Sequence, residues 1–124
     1  QLGVPDMKVP IQYALTYPKH VDSNWEPLNL VEIGTLTFEK PDFEKFRCIK
    51  LAYNAINESN SYSVVLNVAN DMTVQAFLDE KIKFIDIPRL NELAMETHPK
   101  TNSNDLKTIQ DLTHWTENFI KDQL

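Results

Sequence analysis

The chain has 124 residues, of which 42% are hydrophobic and 24% are charged, and its formal net charge is -6. This length suffices for one modest hydrophobic core, but not for a nucleotide-binding domain together with a substrate domain. The composition excludes wholesale disorder. The negative charge argues against nucleic acid or an anionic membrane as a partner, since both favour a basic protein surface.

Cysteine content and the lack of long apolar runs indicate the compartment. Cys48 is the only cysteine, which excludes an intramolecular disulfide and fits a reducing environment. The sequence contains neither a run of about 20 apolar residues nor a charged-then-apolar leader. We therefore expect a cytoplasmic protein with no membrane partner.

Residues 1–42 are predicted to be strand and linker. They contain both glycines and five of the seven prolines, a density that disfavours long helices. The opening QLGVPDMKVPIQYAL predicts an extended start that runs into a tight turn. Residues 33–38 (IGTLTF) are rich in β-branched and aromatic side chains and predict a short strand. Because an extended start has no partner within the chain, we expect its partners to precede Gln1.

The tripeptide Pro5, Asp6 and Met7 in this opening predicts a turn with a specific chemistry. Proline fixes φ, the aspartate side chain bonds nearby backbone, and methionine adapts to flat apolar surfaces. Such a turn either walls a cofactor site or only packs. The residues alone favour neither role.

From residue 43 the hydrophobic spacing becomes helical. A first helix is predicted over residues 43–57 and a second, longer one over residues 62–80. The expected core stripe of the first comprises Phe46, Ile49, Ala52, Tyr53 and Ile56. That of the second comprises Val65, Ala69, Met72, Ala76 and Phe77, widened by Leu66, Thr73 and Leu78. The width of the second stripe predicts a central helix buried on several sides.

Two more helices complete the predicted fold. The third is expected to begin at Asp86 as N-cap, with Pro88 in its first turn, and to stop before Pro99. Its expected core residues are Leu90, Leu93 and Ala94. Ser103 or Asn104 is expected to cap the last helix, whose stripe comprises Leu106, Ile109, Leu112, Trp115 and Phe119. The predicted fold class is mainly α: a four-helix bundle-like C-terminal domain preceded by an extended strand and linker arm, α+β overall.

No spacing predicts an autonomous catalytic or metal site. His20, His98 and His114 are far apart, and none has a second His or a carboxylate at the i, i+4 spacing of a helical metal pair. No run of acidic residues resembles a calcium loop, so the carboxylates are expected at helix caps and on solvated faces. Cys48 is expected to be a small packing residue in the first helix.

The sequence LNVAND places two amides, Asn67 and Asn70, in the middle of a broadly apolar helix. Buried amides must find hydrogen-bond partners or they destabilise a core. We favour a structural role, in which they bond a neighbouring loop or helix end. A ligand-binding role is the alternative.

Four separated blocks of the sequence resemble the deoxyxylulose-phosphate reductoisomerase family. They are QLGVPDMKVPIQYAL followed by YP, then PLNL, then LTFEKPDFEKFRCIKLAYNAI, then LNVANDMTVQAFLDEKIKFIDI, in the family's order and with similar gaps. From Thr97 onward the similarity is limited to helical character. The family usually has Glu where Asp71 stands, and small residues where this chain has SNSY at positions 59–62.

The resemblance implies the final third of an NADPH-dependent enzyme of the non-mevalonate isoprenoid pathway. With Mg or Mn, that enzyme converts 1-deoxy-D-xylulose 5-phosphate to 2-C-methyl-D-erythritol 4-phosphate. Residues 1–16 would end its catalytic domain, 17–42 would form a linker, and 43–124 would form the C-terminal helical domain. The NADPH domain, the metal-holding carboxylates and most phosphate-binding groups would precede Gln1. Such enzymes are usually homodimers, and in eukaryotes they work in the plastid or apicoplast.

Carried over by position, the resemblance assigns one small part of the cofactor site to this chain. Pro5 and Met7 match the turn that lies against the nicotinamide end of the cofactor in the family, with Asp6 shaping that turn. It implies no catalytic and no metal-binding residue here, so the fragment alone is expected to bind no cofactor and to be inactive. The alternative hypothesis is a free-standing helical protein-interaction module that uses residues 1–42 as an extended docking arm.

Overall fold

The computed structural model describes residues 3–101 and 105–124, and within them every regular element is a helix. The mainly α prediction is therefore confirmed. The helices are α1 (Lys8–Thr16), α2 (Leu30–Ile33), α3 (Arg47–Asn57), α4 (Asn60–Leu78), α5 (Asp86–Thr97) and α6 (Leu106–Gln123).

The chain divides into two compact units between Glu39 and Lys40. We call residues 3–39 the N-terminal unit and residues 40–124 the helical unit. The assignment of residues 1–16 to a catalytic domain, 17–42 to a linker and 43–124 to a C-terminal domain stays a prediction. The extended start predicted at Gln1 lies outside the described residues.

The N-terminal unit contains a helix where the sequence predicted a strand and a turn. α1 follows Asp6, whose Oδ1 accepts a hydrogen bond from the Lys8 backbone N–H at 2.9 Å. Pro10 occupies the third helical position, where the missing N–H costs nothing because first-turn N–H groups have no partner within the helix. The helix ends at Thr16, before Pro18. The prolines thus delimit this helix, and the prediction of extended chain here is wrong.

A single helical turn, α2, occupies the next part of the linker. Asn29 is its N-cap, and its Oδ1 accepts hydrogen bonds from the backbone N–H groups of Val31 at 3.1 Å and Glu32 at 3.4 Å. These bonds satisfy two N–H groups that have no partner within the helix. This side-chain cap explains why so short a helix forms.

The strand predicted at residues 33–38 is not formed. Ile33 is the last residue of α2, and residues 34–38 belong to no strand. Gly34 (φ 69, ψ -60) makes a tight γ-turn, in which the Thr35 N–H donates to the Ile33 carbonyl at 2.7 Å. β-propensity alone does not make a strand, because a strand requires a backbone partner.

In the helical unit, α3 begins four residues later than predicted, at Arg47. Asp42 holds the preceding residues in a separate turn, since its Oδ1 accepts the N–H groups of Glu44 at 3.0 Å and Lys45 at 2.9 Å. The buried residues of α3 are Leu51 and Ala55.

The core stripe predicted for α3 is wrong. Its members lie at the surface, with Phe46 47%, Ile49 37%, Tyr53 62% and Ile56 76% exposed, and Ala52 is exposed as well. The helix is apolar on two faces, and the larger side chains occupy the face that α4 and α5 do not cover. Hydrophobic spacing cannot distinguish two such faces.

α4 is the central helix, as predicted, and it packs against α3, α5 and α6. Val65, Ala69, Thr73 and Ala76 from its predicted stripe are buried, which confirms them as core residues. Met72 and Leu66 are partly buried against the core. Phe77 and Leu78 are exposed because they lie in the last turn, beyond the neighbouring helices.

α5 and α6 complete one hydrophobic core. Its buried members are Leu51, Ala55, Val65, Ala69, Leu90, Ala94, Met95, Leu112 and Ile120. Of the residues predicted on α5, Leu93 is only half-buried; of those on α6, Trp115 and Phe119 are partly buried against the core, while Leu106 is 70% exposed. Across residues 3–101 and 105–124, no helix combines the length and the apolar character needed to cross a membrane.

The N-termini of these two helices differ slightly from the prediction. α5 begins at Asp86, with Ile85 as its N-cap, so the predicted cap is displaced by one residue. Asp105 caps α6, with its Oδ1 accepting the Thr108 N–H at 2.9 Å. The caps predicted for this helix, Ser103 and Asn104, lie outside the described residues.

Candidate functional site

The turn formed by Pro5, Asp6 and Met7 lies at the start of α1. Its second residue organises it, because the Asp6 carboxylate accepts the Lys8 N–H and the Asp6 carbonyl accepts the Val9 N–H at 3.3 Å. Met7 is the N-cap residue of the helix, and its carbonyl accepts from Ile11 at 3.2 Å. The aspartate therefore shapes the turn, and the proline and methionine flank it.

The side chains of Pro5 and Met7 are both exposed, and the methionine is 71% accessible. Ile11 (52% exposed) and Leu15 (82% exposed) follow it at four-residue spacing, so one face of α1 is an exposed apolar stripe. A thioether at the surface is soft and adaptable, and suits contact with a flat apolar group. We call Met7, Ile11 and Leu15 the α1 stripe.

The opposite face of α1 is covered by the residues that follow it. Gln12 Nε2 donates to the carbonyl oxygens of Val21 at 3.3 Å and Asp22 at 3.4 Å. Thr16 Oγ1 lies 2.9 Å from the Lys19 carbonyl oxygen, to which it donates. These bonds hold the connection against the helix, while the side chains of the α1 stripe stay more than half exposed.

A small cleft adjoins the turn. Its volume is about 250 Å³, and its lining residues are Gly3, Val4, Asp6, Val9, Trp25, Glu26, Pro27 and Leu28. The lining is mostly apolar, with the Asp6 and Glu26 side chains as its charged members. It contains no pairing of a nucleophile with a base, so the cleft provides surface and shape rather than reactive groups.

The three histidines do not converge on one site. His20 stacks on Tyr13 with ring centroids 4.8 Å apart, His98 is buried in the helical unit, and His114 is exposed on α6. Among residues 3–101 and 105–124, no group of three or more His, Cys, Asp or Glu side chains is placed to hold a metal ion. The described part of the chain therefore does not fit a divalent cation site.

A buried serine and histidine form a pair that sequence reasoning missed. His98 Nε2 lies 2.9 Å from Ser61 Oγ, and its Nδ1 lies 2.7 Å from the Met95 carbonyl oxygen. Because a carbonyl only accepts, Nδ1 carries the proton and the serine hydroxyl donates to Nε2. Burial lowers the pKa of His98, which favours this neutral form. Both side chains are almost fully buried, so the pair is structural.

A second polar cluster explains one of the two asparagines singled out from the sequence. Asn70 Oδ1 accepts from Asn91 Nδ2 at 3.1 Å, and Asn91 Oδ1 accepts from Thr73 Oγ1 at 3.0 Å. Asn91 is fully buried, whereas Asn67 is exposed, as is Asp71. The structural role predicted for Asn70 is supported. Asn91 gave no signal in the sequence, because a lone Asn in an amphipathic helix is normally solvated.

Cys48 lies next to this cluster. Burial raises the pKa of its thiol, and a hydrogen bond with Asn91 and the charge of Arg47 oppose that rise. A raised thiol pKa disfavours the thiolate, the nucleophilic form. The arrangement agrees with the packing role predicted for this residue.

Comparison with protein families identifies what the chain is similar to. The family model described as the DXP reductoisomerase C-terminal domain matches residues 2–119. The 1-deoxy-D-xylulose 5-phosphate reductoisomerase of Endomicrobium trichonymphae is 45% identical over 121 residues, and that of Chloroherpeton thalassium is 46% identical over 123. These matches cover 98% and 99% of the chain but 31% and 32% of the relatives. The chain thus spans about a third of the relatives' length.

Solved structures of 1-deoxy-D-xylulose 5-phosphate reductoisomerases contain a fold similar to that of this chain. The reductoisomerase from Zymomonas mobilis in complex with NADPH matches with a TM-score of 0.83 at 30% identity, over 99% of this chain and 32% of that one. A DOX-P reductoisomerase with fosmidomycin and magnesium matches with a TM-score of 0.85 at 33% identity, over 99% and 33% of the two chains.

Proposed function

The chain belongs to the DXP reductoisomerase C-terminal domain family, and we propose that it works as the C-terminal part of a 1-deoxy-D-xylulose 5-phosphate reductoisomerase. The observation that carries this proposal is the match of residues 2–119 to the family model, at more than 40% identity to curated reductoisomerases. The proposed reaction converts 1-deoxy-D-xylulose 5-phosphate to 2-C-methyl-D-erythritol 4-phosphate, with NADPH as reductant and a divalent cation, Mg or Mn. It supplies isoprenoid biosynthesis by the non-mevalonate route.

In this proposal Pro5 and Met7 form part of the wall against the nicotinamide of NADPH. Their exposure and apolar chemistry fit a flat aromatic ring, and the hydrogen bonds of Asp6 hold the turn in shape. NADPH, when bound, supplies the hydride. The chain's own residues exclude water from one side of the ring and orient it. No described residue cluster suits the cation, so its ligands are assigned to the rest of the enzyme.

The helical unit has a mechanical role in this proposal. Its core is closed by four helices, and its internal polar groups are paired with each other. Its described residues are therefore proposed to form a packed support without a reactive centre. The sugar-phosphate substrate is bound mainly by residues outside this chain, and the enzyme is proposed to be a cytoplasmic homodimer.

The experiment uses the full-length protein that contains these residues. NADPH oxidation is followed with 1-deoxy-D-xylulose 5-phosphate and Mg or Mn, for the wild type and for Met7→Ala, Met7→Leu and Leu15→Ala. Met7→Ala is expected to raise the KM for NADPH by about three- to tenfold, since a thioether side chain that becomes covered by the bound cofactor contributes on the order of 1 kcal/mol. Met7→Leu preserves the apolar contact and should remain close to wild type.

The control Leu15→Ala removes an exposed residue of the same stripe, two helical turns from the turn. It should leave the KM for NADPH unchanged. If the enzyme is active and the two substitutions change the KM for NADPH equally, the proposal that this turn contacts the cofactor is contradicted.

One observation favours the alternative of an interaction module: α3 exposes the apolar side chains of Phe46, Ile49, Tyr53 and Ile56. The reductoisomerase proposal accounts for the same face, because about two thirds of the relatives' length lies outside this chain. The activity assay on the full-length protein distinguishes the reductoisomerase from the interaction module. A full-length protein that lacks the activity, while the isolated chain binds another protein tightly, would favour the module.

A further inference from the structure

Five residues form the interior of the N-terminal unit. Within residues 3–39, only Val9, Gln12, Thr16, Trp25 and Leu28 are half-buried, and every other residue is exposed. The first three follow the i, i+3, i+7 spacing of one helical face. We call them the inner face of α1. Trp25 has the largest side chain of the five, so it offers the inner face its largest packing surface.

Trp25 adjoins both the inner face and the turn at the start of the helix. It lines the cleft of about 250 Å³ together with Asp6 and Val9. It also lines two larger clefts along the helix, of about 470 and 540 Å³, and both of these include Gln12 and Thr16. One indole ring thus links the position of the helix to that of its first turn.

Hydrogen bonds hold the chain before Trp25 against the same face. Gln12 Nε2 donates to the carbonyl oxygens of Val21 at 3.3 Å and Asp22 at 3.4 Å. These acceptors lie four and three residues before the tryptophan. The bonds therefore restrict where the indole can lie relative to α1.

Met7 lies on the other side of the helix. Successive residues of an α-helix are rotated by about 100°, which places Met7 about 180° from Thr16 and about 140–160° from Gln12 and Val9. Its side chain is 71% exposed, whereas the inner face is half-buried. A helix that is packed on one face cannot rotate about its axis without losing that packing. The direction in which Met7 projects is therefore set by the packing of the inner face.

We propose that Trp25 is a positioning residue for the cofactor: it fixes the rotation of α1 about its axis and so holds Met7 against the nicotinamide of NADPH. This inference rests on the proposed function, which assigns Met7 to the cofactor wall. It adds a residue that acts through Met7 without touching the cofactor. Without the indole the turn shifts, and a displaced wall binds the cofactor less tightly.

The test measures kcat and the KM values for NADPH and 1-deoxy-D-xylulose 5-phosphate on the full-length protein with Mg or Mn. Trp25→Ala is expected to raise the KM for NADPH by about three- to tenfold, as for Met7→Ala, and to change the other two constants by less than about twofold. Trp25→Phe keeps an aromatic ring on the inner face and should stay within about twofold of wild type. The control Phe38→Ala removes an aromatic side chain that is 86% exposed and should leave all three constants unchanged.

Two further variants distinguish positioning from general destabilisation. The double variant Met7→Ala, Trp25→Ala should have the same KM for NADPH as Met7→Ala alone, because Trp25 acts only through that side chain. Gln12→Ala keeps a good helix former in α1 but removes the bonds to Val21 and Asp22, and it should raise the same KM by about two- to fivefold. Gln12→Ala decides the test if Trp25→Ala does not fold.

The outcomes separate this inference from the proposed function. If the wild type is active and Trp25→Ala and Gln12→Ala match Phe38→Ala, the inference is overturned and the proposed function stands. A double variant whose KM rise is the product of the two single rises also overturns it, because Trp25 then acts independently of Met7. A loss of kcat with an unchanged KM for NADPH shows only a structural role and overturns it as well. A full-length protein without reductoisomerase activity refutes the proposed function, and the inference falls with it.

Discussion

Asn91 on α5 donates a hydrogen bond from its Nδ2 to Oδ1 of Asn70 on α4, across 3.1 Å. The same side chain accepts a hydrogen bond from Thr73 Oγ1, also on α4, at 3.0 Å. One fully buried amide therefore connects α5 to α4 at two points. Its position fixes the register in which they pack, because each partner is satisfied in only one arrangement.

Asn91→Ala is predicted to lower the free energy of unfolding of the 124-residue chain by about 2–3 kcal/mol. The substitution leaves the Asn70 amide without its partner and opens a small cavity in the core. Urea unfolding followed by circular dichroism measures the change. The matched control is Asn67→Ala, an exposed asparagine on α4, which should stay within about 0.5 kcal/mol of wild type. Equal effects of the two substitutions would refute the role of Asn91 as a connecting residue.

Stability is predicted to fall between pH 7.5 and pH 5 because of His98. Burial lowers its pKa in the folded chain below the unfolded value of about 6.5, so the unfolded state binds more protons as the pH drops. The stabilising contribution is complete above that unfolded value and is lost below it. The groups around the imidazole, Tyr62, Trp115 and Lys100, supply no negative charge to offset its protonation.

Urea midpoints at pH 5, 6 and 7.5 test this prediction. His98→Gln should flatten the pH dependence, and His114→Gln, which removes an exposed histidine, should not. Asp79 and Asp86 do not interfere, because hydrogen bonds lower their pKa values and so move their titration further from this pH range. A wild-type chain whose midpoint is constant across this range would contradict the burial of a neutral imidazole.

Ile120→Ala is predicted to cost about 2–5 kcal/mol of unfolding free energy, whereas Ile56→Ala should cost less than about 1 kcal/mol. Ile120 is completely buried among the core helices, and Ile56 is 76% exposed on α3. Both changes delete the same atoms from a helical position, so the difference between them measures burial. A larger loss of unfolding free energy for Ile56→Ala than for Ile120→Ala would support the core stripe that hydrophobic spacing predicted for α3.

The thiol of Cys48 is predicted to react slowly with iodoacetamide at pH 7.5, because burial raises its pKa and restricts access. The control is a chain with Cys48→Ser and Lys50→Cys, which presents an exposed thiol on the same helix. That thiol should react about tenfold faster, as an unhindered cysteine with an ordinary pKa does. Faster reaction of Cys48 would indicate an activated nucleophile and would contradict its packing role.

Sequence patterns predicted the helical unit well where one face of a helix is much more apolar than the others. The stripe of Val65, Ala69 and Ala76 on α4 is buried, and so is Leu112 on α6. They failed on α3, where small residues such as Ala55 face the core and the larger Tyr53 is exposed. Hydrophobic spacing identifies apolar faces, but only packing decides which of them is covered.

The N-terminal unit was predicted poorly for a different reason. Proline density argues against long helices, yet Pro10 sits in the first turn of α1, where proline is tolerated. Residues 33–38 have strand composition, but pairing is not a local property. The buried contact between His98 and Ser61 could not be predicted from local sequence patterns either, since it joins residues 37 positions apart.

The central proposal is that this chain works as the supporting C-terminal part of a reductoisomerase and that its described residues contribute no reactive group. The most direct measurement is NADPH oxidation with 1-deoxy-D-xylulose 5-phosphate, with and without Mg or Mn, by the full-length protein and by the isolated 124 residues. We predict cation-dependent turnover by the full-length protein and none by the isolated chain. A full-length protein that does not oxidise NADPH with this substrate, or an isolated chain that does, would contradict the account.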